Sequence, residues 1–315
     1  MLIKIPTKDM PREVWLQHRQ KSIGGSDAAA LLGLSDYASP YSLWAEKTGK
    51  VIPEDISDRE SVRLGNDLED YVAKRFAEKT GKKVRRENAF LQNPEMPFAH
   101  ANIDRAVVGE EAGLECKTTI SISIAKECEE EKVPARFYCQ CVHYLMVTGA
   151  KRWYLGVLVF GKGFYHFTIE RDEAEIAALR AAEEEFWGKV TSNTPPDVDG
   201  AEATLEAIRT IQKESRPGLD IALMGVAGEL ATLAKLKERE KELGREIAEQ
   251  QARIMSYMGG AERGAWGQYK ISYKTQYRHV FDKERFERDH GKIPEDYYKV
   301  TTSRPLKLTI TKQTI

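Results

Sequence analysis

The sequence predicts an α+β fold, because segments with the residue pattern of strands lie between segments with the periodicity of helices. Short apolar runs and alternating apolar and polar residues are typical of strands. Such segments occur at 83–91, 98–108, 113–118, 152–159 and 164–170. Leu64, Leu68, Val72 and Phe76 recur every four residues, which predicts a helix over 61–80 that ends at Gly81.

Three short helices are predicted before residue 50. The first contains residues 15–19 and is followed by a turn at 22–25. We expect Ser26 to cap a second helix over 27–32, because a serine followed by an aspartate is a common start signal. Residues 40–48 form the third helix, closed by Gly49.

The second half of the chain is predicted to form further helices and a small β segment. Helices are expected at about 134–147, led by Pro134, and at 172–190. We place a domain boundary at residue 200, with a core at 1–200 and an extension at 201–315. The extension is expected to form a helical hairpin or coiled coil over 203–256, because this stretch is rich in Ala, Glu, Lys, Leu and Arg. Strand-like residues follow at 265–274 and 303–312.

Composition predicts a soluble, globular and cytoplasmic protein, with 41% hydrophobic and 31% charged residues among 315. No apolar run of about eighteen residues occurs, so no transmembrane helix is expected. The N-terminus lacks the long apolar core of a signal peptide. Because the net charge is −1, nucleic-acid binding would depend on local basic groups and on metal ions.

The cysteine pattern favours reduced structural cysteines over a metal or iron–sulfur site. The four cysteines are Cys116, Cys128, Cys139 and Cys141. Only one close pair exists, and no second C-x-x-C motif accompanies it. Disulfides are not expected in a protein without a secretory signal.

The strongest functional signal is a predicted hairpin that begins at Asp104 and returns through Glu115 and Lys117. Side chains alternate across a strand, so Glu115 and Lys117 share one face, and Leu114 and Cys116 share the other. The hairpin can bring Asp104 close to the first face. Two carboxylates and an ammonium would suit a divalent-metal nuclease, since Mg²⁺ prefers hard oxygen ligands. A solvated hairpin with cross-strand salt bridges would explain the same residues without any catalysis.

The wider context resembles the PD-(D/E)XK nuclease core, because a helix with Glu69 precedes the hairpin and a helix with Gln140 follows it. Within that superfamily the chain is similar to the YqaJ-type viral recombinases of the lambda-exonuclease family. The segments that carry this likeness are 15–19, 23–29, 64–69, 101–105, 114–117 and 140–148. The chain departs from the usual motif at Ile103, where proline is common, and at Cys116, where an apolar residue is common.

The resemblance implies an α/β/α core with a central mixed sheet and assigns roles to single residues. Asp104 and Glu115 would hold Mg²⁺ or Mn²⁺, two ions per site, with the Cys116 carbonyl as a further ligand. Glu69 would act at a second ion or through its water. Lys117 would orient or activate the attacking water.

Three further residues complete the implied site. Gln140 would position the site. Arg19 and Ser26 would hold a terminal 5′-phosphate, a role that suits a guanidinium and a residue at a helix start.

The implied activity is a 5′→3′ exonuclease that acts on ends of linear double-stranded DNA, releases 5′-mononucleotides and leaves 3′ overhangs. The implied partners are a phage single-strand annealing protein and further copies of the chain in a ring-shaped trimer. Three alternatives stay open. They are a structure-specific or nicking endonuclease with the same core, an iron–sulfur nuclease, and a non-enzymatic DNA-binding or scaffold protein.

Overall fold

The computed structural model describes residues 1–299, 301 and 304–308, and the chain divides into two compact units, Met1–Gln212 and Lys213–Ile315. The helices of the first unit are α1 (Arg12–Gln20), α2 (Gly25–Leu31), α3 (Pro40–Lys47), α4 (Glu60–Thr80), α5 (Ile122–Glu129), α6 (Ala135–Thr148), α7 (Glu173–Thr191) and α8 (Glu202–Ile211). Its strands are β1 (Ile3–Pro6), β2 (Val84–Arg86), β3 (Ala89–Gln92), β4 (Ala101–Asn102), β5 (Arg105–Val107), β6 (Ala112–Thr119), β7 (Arg152–Val159) and β8 (Gly163–Glu170). The second unit contains α9 (Ala227–Met258), β9 (Arg263–Trp266), β10 (Tyr269–Ser272) and α10 (Lys283–His290), with short 3₁₀ turns at Met224–Val226 and Glu295–Tyr297.

The central sheet of the first unit has five strands in the order β2-β5-β6-β7-β8. Strands β6 and β7 are parallel, and the other neighbours are antiparallel. Helices α5 and α6 form the crossover that a parallel pair requires. The predicted α+β fold with a central mixed sheet is therefore confirmed.

Helices cover both faces of this sheet. On one face Phe76 of α4 packs with Leu114 and Tyr154 in a small apolar cluster. On the other face Leu155 and Leu145 belong to the larger core, to which α6 and α7 also contribute. The result is an α/β/α arrangement in which β6, the strand with Glu115 and Lys117, lies in the middle of the sheet.

A second sheet of three strands, in the order β1-β3-β4, accompanies the first. The predicted strands at 83–91 and 98–108 each break in two, and their halves belong to different sheets. The chain leaves the small sheet after Asn102 and enters the central sheet at Arg105. Ile103 and Asp104 thus occupy a corner between the two sheets.

The start of α2 differs from the prediction. The helix begins at Gly25 with Gly24 as its cap, so Ser26 lies inside the first turn instead of capping it. Asp27 provides the capping contact, because its Oδ2 accepts a hydrogen bond from the Gly24 N–H at 3.0 Å. The Ser26 hydroxyl is consequently free to contact another side chain.

The helical hairpin expected over 203–256 is instead two helices in different units. Helix α8 lies in the first unit and packs against α3, where Thr204 Oγ1 donates to Ser39 Oγ at 2.6 Å. Pro217 and Gly218 follow α8 and interrupt helical geometry. The structural division thus falls at Gln212, one short helix beyond the boundary predicted at residue 200.

Within the second unit, α9 is a single helix of 32 residues. The strands expected at 265–274 are present as the antiparallel pair β9 and β10. The predicted strand at 303–312 falls largely outside the described residues, and its described part, 304–308, has no regular secondary structure. Across the described ranges, no helix has both the length and the apolar character needed to span a membrane.

Gly113 of β6 is required by a close approach of the Trp153 indole. A Cβ atom at this position would overlap the indole ring, and Trp153 is only 1% exposed and cannot move aside. We expect Gly113→Ala to lower the free energy of unfolding by about 1–3 kcal/mol, measured by urea unfolding. Gly188→Ala is the control, because nothing lies within 4 Å of the added atom and a helical alanine is favoured over glycine. An unchanged free energy of unfolding in Gly113→Ala would contradict the close packing of Trp153 against Gly113.

Candidate active site

The hairpin predicted from the sequence forms the floor of the site. Strands β5 and β6 pair antiparallel, with Arg105 opposite Leu114, and residues 108–111 form the turn. Leu114 and Cys116 point toward α4, whose apolar cluster they join. Glu115 and Lys117 point the other way, toward α6, as alternation predicts.

Glu115 is the most fully enclosed carboxylate of the site, with a side chain that is 3% exposed. Its Oε1 accepts hydrogen bonds from Lys117 Nζ at 2.6 Å and from Gln140 Nε2 at 2.7 Å. Its Oε2 is buried and has no hydrogen-bond partner among the described residues. Buried polar atoms are normally satisfied, so this oxygen is available to a ligand.

Asp104 is held at the corner by the backbone, since its Oδ2 accepts from the Cys116 N–H at 2.7 Å. Burial, together with the neighbouring Glu115 and Glu69 carboxylates, raises the pKa of Asp104 well above its usual value. Burial lowers the pKa of Lys117, but the Glu115 and Asp104 carboxylates outweigh it and raise the pKa above the usual value. The carboxylates of Asp104, Glu115 and Glu69 are therefore gathered here, with the Lys117 ammonium beside Glu115.

Glu69 approaches the site from α4 and is engaged by Arg105. The Arg105 side chain is 4% exposed and forms an ion pair with Glu69. The same guanidinium donates to the Asp104 carbonyl at 2.7 Å and to Asp70 Oδ1 at 2.6 Å. Glu69 therefore lies beside the Asp104 corner, with Oε1 of its carboxylate paired with Arg105.

The donor set at the corner fits a hard divalent cation. Among the described residues, no group of three or more His, Cys, Asp or Glu side chains is arranged to hold a metal by itself. Mg²⁺, however, is commonly bound by one or two carboxylates together with water and substrate phosphates. Asp104 and the unsatisfied Oε2 of Glu115 supply such a pair. The backbone carbonyl of Cys116, which lies between Glu115 and Lys117 in the sequence, is a further oxygen donor.

Gln140 is oriented by a chain of hydrogen bonds. Its Nε2 donates to Glu115 Oε1 at 2.7 Å and to the Tyr144 hydroxyl at 2.8 Å. The Tyr144 hydroxyl in turn donates to the Asn102 carbonyl at 3.1 Å. Gly25 lies against the Tyr144 ring, where a Cβ atom would come within 2.6 Å of Tyr144 Cε1. The start of α2 is thus brought close to the carboxylates.

Arg19 and Ser26 line the same cavity as the carboxylates. Arg19 Nη2 donates to Ser26 Oγ at 2.9 Å. The cavity measures about 140 Å³. Its walls are formed by Trp15, Arg19, Gly24, Gly25, Ser26, His100, Asn102, Asp104, Glu115, Gln140 and Tyr144. Groups suited to an anion and groups suited to a cation therefore line one cavity.

Several residues around this cavity were not predicted from the sequence. Asp27 and Lys47 form a buried ion pair at 2.6 Å beneath Arg19. His100 lines the cavity, and its Nδ1 lies 2.8 Å from Ser22 Oγ. Burial lowers the pKa of His100 to about 3, so the ring is neutral. No local motif announces these residues, because their contacts connect segments that are distant in sequence.

Several other polar and aromatic residues of the first unit have structural roles. His143 is fully buried and bonds to Glu183, and Trp44 is 3% exposed in the core. The basic residues of β2 lie at the edge of the sheet and pair with acidic neighbours, Arg85 with Glu87 and Arg86 with Asp70. All four cysteines are free.

The chain is similar in sequence to a known domain family and to a full-length protein. Residues 14–151 match the model of the YqaJ-like viral recombinase domain. Over 296 residues the chain is 38% identical to the uncharacterized protein YqaJ of Bacillus subtilis (strain 168), covering 93% of this chain and 91% of that protein.

Two solved structures are also similar to the chain. The crystal structure of an alkaline exonuclease, LHK-Exo from Laribacter hongkongensis, has a TM-score of 0.48 and 17% identity, covering 58% of this chain and 94% of that one. The structure of LHK-Exo in complex with dAMP has a TM-score of 0.49 and 18% identity, with the same coverage of both chains.

Proposed function

The chain belongs to the YqaJ-like viral recombinase family, and we propose that it is a metal-dependent 5′→3′ exonuclease that acts on linear double-stranded DNA. One observation carries the proposal. A single cavity is lined both by Arg19 and Ser26 and by Asp104, Glu115 and Gln140. An enzyme that cuts close to a phosphorylated end needs both groups within one nucleotide of each other.

In this proposal the carboxylates hold the metal and the surrounding residues set their geometry. Asp104, Glu115 through Oε2, and the Cys116 carbonyl would bind Mg²⁺ or Mn²⁺, with Glu69 reserved for a second ion or its water. A bound divalent ion would supply a hydroxide-like nucleophile and neutralise charge on the phosphate. Gln140 and Lys117 fix Glu115 by binding its Oε1.

Lys117 and Arg19 provide the positive charge that a DNA substrate requires. Lys117 would orient the attacking water toward the scissile phosphate, since its ammonium already lies beside the carboxylates. Arg19 and Ser26 would bind the terminal 5′-phosphate, because a guanidinium forms parallel hydrogen bonds to phosphate oxygens. Cleavage of the first phosphodiester would release a 5′-mononucleotide and leave a 3′ overhang.

The products define the proposed partner, and the family resemblance suggests the assembly. A 3′ single-stranded overhang is the substrate of a phage single-strand annealing protein. Several copies of the chain would surround the duplex, with a ring trimer as the proposed form. Sedimentation of the protein at low concentration would measure the number of copies.

The first experiment compares three DNA substrates in the presence of Mg²⁺, Mn²⁺ or EDTA. They are linear duplexes with a 5′-phosphate, the same duplexes with a 5′-hydroxyl, and a covalently closed circle. We expect metal-dependent loss of the phosphorylated linear duplex with release of mononucleotides. Cutting of the circle would make the protein an endonuclease, and no cleavage with either metal would favour a DNA-binding or scaffold protein.

A further inference from the structure

The Arg19 guanidinium is fixed by contacts that the proposed reaction does not itself require. Its Nη2 donates to Ser26 Oγ at 2.9 Å and to Asp27 Oδ1 at 3.0 Å. Its Cζ atom lies 5.2 Å from the centroid of the Trp15 ring. Within the described residues, Nε and Nη1 form no hydrogen bond. One nitrogen therefore sets the orientation, and two remain for an anion in the cavity.

Asp27 accepts hydrogen bonds from Arg19, from Lys47 and from the Gly24 N–H. Its side chain is 9% exposed, and Oδ2 accepts from Lys47 Nζ at 2.6 Å and from the Gly24 N–H at 3.0 Å. Burial alone would raise the pKa of Asp27, but Lys47 and Arg19 lower it well below its usual value. The carboxylate therefore stays ionised while it holds Arg19.

Lys47 is not available to bind DNA. Its side chain is 5% exposed, and its ammonium donates to Asp27 Oδ2 at 2.6 Å, to the Ser22 carbonyl at 2.8 Å and to the Arg19 carbonyl at 2.7 Å. An ammonium has three N–H donors, so all of them are used. Lys47 fixes the backbone of Arg19, and Asp27 fixes its side chain.

We propose that Asp27 and Lys47 are positioning residues that hold Arg19 ready to bind a 5′-phosphate, a proposal that rests on the proposed function of Arg19. Arg19, Lys47 and Asp27 together carry one net positive charge, so the group as a whole still attracts an anion. Because Arg19 is ordered during folding, its rotamer freedom is not lost again when the DNA end binds. The buried pair thus increases the preference for phosphorylated ends without touching DNA.

The test is the ratio of kcat/KM for duplexes with a 5′-phosphate and with a 5′-hydroxyl. Asp27→Asn keeps the shape of the side chain but removes the charge that orients Arg19. We expect this ratio to fall by about ten-fold, mainly through a higher KM for the phosphorylated duplex. Both substrates are measured on one preparation, so the ratio does not depend on the fraction of protein that is folded.

A double-mutant cycle with Arg19→Ala separates positioning from a general structural effect. If Asp27 acts through Arg19, Asp27→Asn will cause no further change of the ratio in the Arg19→Ala background. Lys47→Met is the second variant and should lower the ratio in the same direction. An unchanged ratio in Asp27→Asn, an increased ratio, or fully additive effects would each overturn the proposal.

Direct binding distinguishes failure of this inference from failure of the proposed function. The dissociation constants of the two duplexes can be measured in EDTA, where no cleavage is expected. If the wild-type protein does not cleave DNA but prefers the phosphorylated duplex, and Asp27→Asn removes that preference, the inference survives and the proposed nuclease function fails. Equal binding of both ends by the wild-type protein would overturn the inference.

Discussion

Asp104→Asn is expected to abolish DNA cleavage while leaving the fold intact. Asp104 and Glu115 are the two carboxylates of the proposed metal site, and the amide is a far weaker ligand for a hard cation. Loss of the bound ion removes several kcal/mol of transition-state stabilisation. A fall in kcat of at least about 10³-fold corresponds to about 4 kcal/mol. Initial rates of mononucleotide release from phosphorylated linear duplex would measure it.

The same substitution should not destabilise the metal-free protein. Asp104 lies close to Glu115 and Glu69, so a neutral residue relieves repulsion between like charges. The amide oxygen of the introduced asparagine can still accept the hydrogen bond from the Cys116 N–H. We expect an equal or higher Tm, by about 2–4 °C for each 1 kcal/mol gained. Added Mg²⁺ should raise the Tm of the wild-type protein and not that of the variant.

Asp67→Asn is the matched control, because it removes one negative charge from an exposed position on α4. We expect its cleavage rate and its response to Mg²⁺ to equal those of the wild-type protein. Full activity of Asp104→Asn would exclude the proposed metal site. Equal loss of activity in both variants would mean that overall charge, and not ligation, controls the rate.

Glu183→Ala is expected to produce the largest loss of stability. His143 and Glu183 are both fully buried, with His143 Nδ1 2.7 Å from Glu183 Oε1 and Nε2 2.9 Å from the His100 carbonyl. Removing one member of a buried pair leaves the other without compensation and costs about 3–5 kcal/mol. Urea unfolding would measure the change, and the Tm should fall with it.

The loss of stability in Glu183→Ala should depend on pH. Burial lowers the pKa of His143, but Glu183 and the His100 carbonyl raise it above the usual value. A raised pKa in the folded state means that the protonated ring stabilises the fold below the unfolded value of 6.5. This contribution disappears as the pH rises through the raised pKa. The difference between wild type and Glu183→Ala should therefore be larger at pH 6 than at pH 9.

The adjacent residue gives a matched control for this experiment. Glu184 lies on the same helix, is exposed and pairs with Arg180 at 2.8 Å. Exposed pairs of this spacing contribute about 0.3–0.5 kcal/mol, so Glu184→Ala should change stability little. If Glu183→Ala and Glu184→Ala were equally mild, the buried pair would not stabilise the fold.

Local patterns in the sequence were sufficient to predict most of the fold. Strand alternation placed Glu115 and Lys117 on one face, and the glycine-containing turn predicted the return from Asp104. Periodicity does not identify the partner of an amphipathic helix, so α8 was placed with the extension although it packs against α3. The start of α2 was predicted incorrectly, because Ser26 was taken as the cap. The helix begins at Gly25, and Gly24 is the residue that precedes it.

The residues that support the site were harder to predict, because their contacts span long stretches of sequence. Lys47 and Asp27 come from different helices, and the lysine has the local pattern of an ordinary surface residue. His143 and Glu183 meet only when α6 and α7 pack together. A single sequence contains no signal for such pairs, and neither residue type nor spacing distinguishes them from exposed charges.

The parallel pairing of β6 with β7 has a consequence for the order of folding. The hairpin of β5 and β6 closes a short turn, but β6 can pair with β7 only after the chain between Thr119 and Arg152 has closed a long loop. Such non-local contacts form slowly. Gln140 lies on α6, within the segment that joins β6 to β7. A chain in which only the hairpin of β5 and β6 has formed therefore has Glu115 in place without Gln140, which orients it. The proposed nuclease activity would therefore arise only after β6 and β7 have paired, and partly folded chains would not cleave DNA.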